Sequence, residues 1–62
     1  MKRVYLFLAY GFEEVEGLTA VDLLRRAGIQ VITVSVTGND IVTGAHKIPV
    51  VADIKIDNGA FG

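Results

Sequence analysis

Three glutamates, Glu13, Glu14 and Glu16, crowd one short stretch of a chain that carries a single histidine, His46, and no cysteine. Carboxyl groups and one imidazole offer proton transfer and hydrogen bonding. They do not offer a thiolate nucleophile, a disulfide or a thiolate-bound zinc. His46 by itself makes no zinc site without carboxylate partners brought from far along the chain, and neither a metal nor a cofactor is expected. Ser35, Thr37 and Thr43 carry hydroxyl groups, but His46 is the sole imidazole that could activate one. Asp22 and Arg26 stand four residues apart, the spacing of a helix-surface ion pair contributing about 0.3–0.5 kcal/mol.

The surrounding sequence assigns these residues to elements. Residues 4–9 (Val-Tyr-Leu-Phe-Leu-Ala) are a near-continuous apolar run rich in β-formers. Such a run fits a strand covered on both faces, as in a parallel sheet. Tyr10-Gly11-Phe12 breaks it. From 13 to 27 the period changes, with Val15, Leu18, Ala20, Val21, Leu23, Leu24 and Ala27 on one broad helical face. Glu13, Glu14 and Glu16 suit the positive N-terminal end, Arg25 and Arg26 the negative C-terminal end, and Gly28 a left-handed stop. Glu13 and Glu14 are expected to be solvated residues that favour the helix dipole. Gly17 lowers helix stability by on the order of 1 kcal/mol relative to alanine, a cost more easily tolerated if something packs close against it.

A second strand is predicted at 29–36 from Val31, Ile32, Val34 and Val36. Strands joined by so long a helix must run parallel with a right-handed crossover, giving a βαβ unit. Gly38-Asn39-Asp40 is turn chemistry. Ile41-Val42-Thr43 and Ile48-Pro49-Val50-Val51 read as a hairpin around Gly44-Ala45-His46-Lys47, with Pro49 on an edge because it has no amide to donate. Periodicity fades from Ala52 onward, and Asn58-Gly59 is a turn signal. No third parallel strand is expected.

A chain of 62 residues allows one domain at most, and buries only about 60% of the surface its unfolded form exposes. With 52% hydrophobic residues, this one calls for a larger core than it can enclose. A two-strand parallel ladder leaves both flanks unpaired, and one helix covers one face. The expectation is a segment of a larger domain, residues 1–62 being its N-terminal part, completed by further chain or a partner. The net charge of −1, with both signs spread along the chain, argues against a phosphate-tracking basic face and so against nucleic acid. Met1-Lys2-Arg3 and the apolar run resemble a signal peptide, but acidic residues follow without a small-residue cleavage site, and the run is too short to span a bilayer. A cytoplasmic protein without membrane contact is expected.

The loop after the first strand is where an open α/β sheet places its ligand. A dinucleotide site needs G-x-G-x-x-G there, whereas this loop has Gly11 followed by three carboxylates that would repel a phosphate. An acidic pair after a first strand also suits phosphoacceptor receiver domains, which require an aspartate on a third parallel strand. A far more particular pattern is Gly11-Phe12-Glu13-Glu14-Val15-Glu16, followed by Val21-Asp22-Leu23-Leu24-Arg25-Arg26-Ala27-Gly28-Ile29 and then Thr43-Gly44-Ala45-His46. From about Lys2 to Asp53 the chain closely resembles the N-terminal third of the ThiJ/PfpI family, within the class I glutamine amidotransferase-like superfamily.

That resemblance implies an α/β fold, the N-terminal βαβ plus hairpin of a flavodoxin-like three-layer sandwich with a mainly parallel sheet, in a protein that is usually dimeric. It implies that Glu16 hydrogen-bonds a reactive cysteine on a nucleophile elbow, a cysteine absent from this chain. A carboxyl group enclosed beside a thiolate can hold a proton and donate it in a hydrogen bond to sulfur, and the thiolate attacks carbonyl carbon. It implies that Asp22, Arg26, Gly44, Ala45 and His46 lie at a substrate-binding mouth or a homodimer interface. His46 stands where some relatives carry an arginine of an anion pocket, which puts anion recognition in doubt. The activity implied is glyoxalase or deglycase chemistry on small α-oxoaldehydes or their protein adducts. Relatives with other roles keep open a peptidase, an amidase, a thiazole-biosynthesis protein, or a non-enzymatic stress-response or chaperone-like dimer with a redox-sensing cysteine.

Overall fold

A computed structural model describes residues 3–56. The predicted turn at Asn58-Gly59 lies outside the described residues. The order of elements is β1 (Arg3–Leu8), α1 (Glu14–Arg26), β2 (Gln30–Ser35), β3 (Ile41–Thr43), β4 (Pro49–Val51) and β5 (Ile54–Lys55). β1 and β2 are parallel, with Tyr5 opposite Ile32 and Phe7 opposite Val34. β3 and β4 form the expected antiparallel hairpin, Val42 facing Val50, and Pro49 sits at one end of its two-stranded ladder.

The expectation of a two-strand parallel ladder is corrected. A third strand, β5, pairs parallel with β2, with Val34 opposite Ile54 and Ser35 opposite Lys55, giving the order β1-β2-β5. Two residues carry no readable period, so sequence pattern could not announce this strand. Side chains place it instead. The Asp53 carboxylate accepts from the Thr33 backbone N–H at 2.9 Å, while the Asp53 N–H donates to the Thr33 hydroxyl at 2.8 Å. Arg25, from the last turn of α1, donates to the same carboxylate at 2.9 Å and to the Val31 carbonyl at 2.8 Å. Helix end, central strand and third strand are thereby tied at one point.

α1 is built as its sequence suggests. Glu13 is the N-cap, its carboxylate accepting from the Val15 N–H at 3.1 Å. At the other end Gly28 takes φ 83°, and its N–H and that of Ile29 return to Arg25 and Leu24 carbonyls. That conformation is open to glycine without a Cβ clash. Gly17 does have a close neighbour: a Cβ there would lie 3.4 Å from the Phe12 ring.

Burial alternates along β1, with the side of Leu6 and Leu8 turned inward and that of Tyr5 and Phe7 outward. Leu8, Val42 and Ala52 form the buried cluster, with Leu6, Phe12 and Val50 packed against it. The hairpin thus closes over the inward side of β1. Backbone bonds hold it there: Gly11 N–H to the Thr43 carbonyl at 3.0 Å and Ala45 N–H to the Phe12 carbonyl at 2.7 Å. The opposite side leaves Phe7 55% exposed, as expected of a sheet that one layer cannot cover.

Candidate functional site

The β1–α1 loop and the hairpin turn meet because both are pinned to the carboxyl end of β1. Their meeting point buries Glu14. The expectation that Glu14 is a solvated helix-end glutamate is corrected, for its side chain is only 2% exposed. Its carboxylate accepts from the His46 N–H at 2.8 Å and the Ile48 N–H at 3.1 Å, and meets His46 Nδ1 at 2.8 Å. A helix-dipole argument sees only the helix. Here the first turn of α1 abuts a turn whose N–H groups have no strand to pair with, and a carboxylate satisfies them.

Burial opposes ionisation of Glu14 most strongly. The hydrogen bond to the His46 ring and the backbone N–H groups of Glu14, Ile48 and His46 together outweigh it, bringing the carboxyl from 4.5 down to about 2. His46 moves the other way. The hydrogen bond from Glu14 raises its pKa above the ordinary histidine value, helped by the charges of Glu13 and Glu14 and opposed by desolvation. Glu13 Oε1 lies 3.5 Å from the same Nδ1. An ionised carboxylate has no proton to give, so Nδ1 is the donor in this contact.

The turn fits this arrangement tightly. A Cβ on Gly44 would overlap the Glu14 carboxyl group, so glycine is needed there for space. The left-handed residue of the turn is instead Lys47, at φ 62°. The Gly44 and Ala45 positions predicted at a substrate mouth or interface therefore hold up the Glu14–His46 contact: Gly44 by its missing side chain, Ala45 by its bond to Phe12.

Glu16 lies elsewhere on α1. It borders an open groove of about 290 Å³ lined by Leu6, Leu8, Phe12, Glu13, Gly17 and others at the β1 end, and its side chain is exposed. Asp22 does not share that groove. It lines a second one, of about 370 Å³, with Glu14, Val15, Leu18, Thr19 and Ile48. Asp22 and Arg26 pair across the helix surface at 3.2 Å, both well exposed. The predicted residues thus divide: Glu16 toward β1, Asp22 toward the hairpin, His46 on the turn above Glu13 and Glu14.

The Glu13, Glu14 and His46 donor atoms lie within 4.8 Å of one another, so the fold brings His46 the carboxylate partners that its place in the sequence lacks. Glu14 already accepts from the His46 ring and from two backbone N–H groups, and Glu13 from the Val15 N–H, so the set reads as a hydrogen-bonded cluster. Sequence reasoning missed Glu14. The signal lay in Gly44, a glycine whose turn role another residue performs. A smaller polar set also forms beyond β1, where Asn39 Nδ2 donates to the Tyr10 hydroxyl at 2.7 Å, and hydrogen bonds with Thr37 and Asn39 lower the Tyr10 pKa.

Among the described residues no helix is long and apolar enough to cross a membrane. Comparison with known proteins gives a consistent picture. The chain is 33% identical over 57 residues to the Parkinson disease protein 7 homolog of Danio rerio, covering 92% of this chain and 30% of that protein. It is 34% identical over 55 residues to the protein dj-1beta of Drosophila melanogaster, covering 89% and 29%. Among solved structures, a cysteine-to-alanine mutant of a DJ-1 superfamily protein from Salmonella typhimurium superposes with TM-score 0.86 at 44% identity, over 89% of this chain and 30% of that one. Oxidized DJ-1 of Toxoplasma gondii does so with TM-score 0.86 at 34% identity, over the same shares. The chain therefore spans about 30% of the length of these relatives. The α/β fold with a mainly parallel, flavodoxin-like sheet follows from these superpositions. The family model for the DJ-1/PfpI family matches residues 2–61, and the chain belongs to that family.

Proposed function

We propose that these residues are the N-terminal part of a DJ-1/PfpI domain, and that the intact protein performs cysteine-dependent chemistry on small α-oxoaldehydes or their protein adducts. Glu16 supplies the carboxyl partner of a cysteine that this chain does not contain. The observation that carries the reading is the place of Glu16: on the first turns of α1, beside an apolar groove at the carboxyl end of β1. That is where an open parallel sheet receives its ligand. A carboxyl group there can hydrogen-bond a sulfur approaching from a neighbouring strand, and the apolar walls of Leu6, Leu8 and Phe12 suit a small carbonyl compound.

The second groove, with exposed Val15, Leu18 and Ile48 at its edge, is the surface we assign to a homodimer. Replacing Leu18 with aspartate is expected to yield a monomer by sedimentation, with Asp22 and Arg26 left paired.

The deciding experiment supplies methylglyoxal to the intact protein, with its thiols free or alkylated. Thiol-dependent loss of methylglyoxal, reduced at least about 10²-fold by Glu16→Ala, is the expected result. No turnover, together with suppression of aggregation of a client protein, would instead favour a binding module.

A further inference from the structure

Beside the groove that holds Glu16 stands an imidazole that the reading above leaves without work. The His46 side chain is 59% exposed, although its Nδ1 is held at 2.8 Å by a carboxylate that is 2% exposed. This is how a buried carboxylate fixes a functional histidine: it accepts a hydrogen bond from one ring nitrogen, sets the tautomer and leaves the other nitrogen facing outward. The hold has further parts. The same carboxylate accepts the His46 and Ile48 backbone N–H groups, so ring and main chain are clamped together. Gly44 makes room for it. A turn that needed only a solvated histidine would need none of these.

Charge selects the kind of ligand. Glu13 and Glu14 both lie against the ring, Glu13 at 3.5 Å. Two carboxylates and one imidazolium leave the cluster at −1, which repels an anion. Lys47 is the neighbouring cation in the turn. Glu13 also lines the Glu16 groove, so His46 is one side chain removed from it. His46 offers a titrating cation whose charge the two carboxylates more than offset.

We propose that Glu14 is a positioning residue that fixes His46 through Nδ1–H, so that Nε2–H donates a hydrogen bond to the carbonyl oxygen of a neutral substrate and disfavours an anionic one. The inference rests on the proposed carbonyl chemistry for its ligand. The positioning of the ring is independent of that reading.

The experiment uses the intact protein in two arms. In the first, ring nitrogen NMR follows His46 from pH 5 to 9. The expected result is a pKa above that of free histidine and, above it, the Nδ1–H tautomer. Glu14→Gln should lower that pKa and release the tautomer. An Nε2–H tautomer in the unmodified protein, which requires no variant to fold, would overturn the proposal. In the second arm, KM is measured for methylglyoxal and for the anion glyoxylate. KM for methylglyoxal should rise with pH through the His46 pKa. His46→Leu should raise it about tenfold, the loss of one charge-assisted hydrogen bond. His46→Gln, which keeps an N–H donor, should recover much of that affinity with a flat pH dependence. Glyoxylate used as well as methylglyoxal, or a profile indifferent to both His46 variants, would refute the donor role. If no carbonyl compound is turned over at all, the proposed function fails and takes the ligand with it, while the ring spectrum still decides the positioning.

Discussion

Glu14 and His46 stabilise one another, and their titrations give the protein two opposite pH dependences. The Glu14 carboxyl falls from 4.5 to about 2 on folding. Its contribution is present above pH 4.5 and is lost as pH falls toward 2, because the unfolded chain then binds the proton more readily. His46 has a raised pKa in the fold. Its contribution is complete below pH 6.5 and is lost as pH rises through the raised value. Thermal melts of the intact protein at pH 3, 5.5 and 9 should therefore be most stable at the middle value, and Glu14→Gln should flatten both limbs. Lys47 gives a separate prediction. A lysine at φ 62° sits in a region that costs a non-glycine residue on the order of 1 kcal/mol. Lys47→Gly removes that cost at the price of greater freedom in the unfolded chain, so urea melts should show a change from nothing to a gain of about 1 kcal/mol.

At the scale of elements, the attachment of β5 depends on Thr33. It is buried, and its backbone and hydroxyl groups both engage Asp53. The Thr33 backbone N–H is the chief cause of the lowered Asp53 pKa, acting against burial and assisted by the Thr33 side chain and by Arg25. Thr33→Val keeps the shape but leaves the Asp53 N–H without its acceptor, an expected loss of about 1–3 kcal/mol. Faster amide exchange confined to β5 and the β4–β5 corner would locate it. Leu8→Ala should cost more, about 2–5 kcal/mol, because Leu8 joins β1 to Val42 and Ala52 in the buried cluster.

At the scale of the molecule, the described residues dress one side of the sheet. Phe7, Ile32, Val34 and Ile54 share the other by register, and only Val34, on the central strand, is fully buried there. A layer this thin, 12 Å in its shortest extent, stabilises itself weakly. The 62-residue chain on its own is expected to melt broadly and to bind a hydrophobic dye. Circular dichroism and dye fluorescence check this, and a sharp two-state transition of the monomer without dye binding would contradict it.

Local pattern and tertiary contact determined different parts of this protein. Apolar runs and a change of period specify β1, α1, β2 and the hairpin, because each of those signals is complete within one element. The acidic start of α1 and the stop at Gly28 were legible for the same reason, and so was the family, whose motif is a run of neighbours in sequence; that Glu13 itself caps the helix came from the structure. β5 was not legible, since two residues have no period and Asp53 finds Thr33 only when the sheet has formed. Nor was the buried state of Glu14. Among three glutamates of like chemistry, the one enclosed is the one whose position on the helix points at the hairpin turn, 32 residues away from His46. That choice is made by the packing of α1 and the hairpin against β1, a relation between elements that the sequence of neither contains.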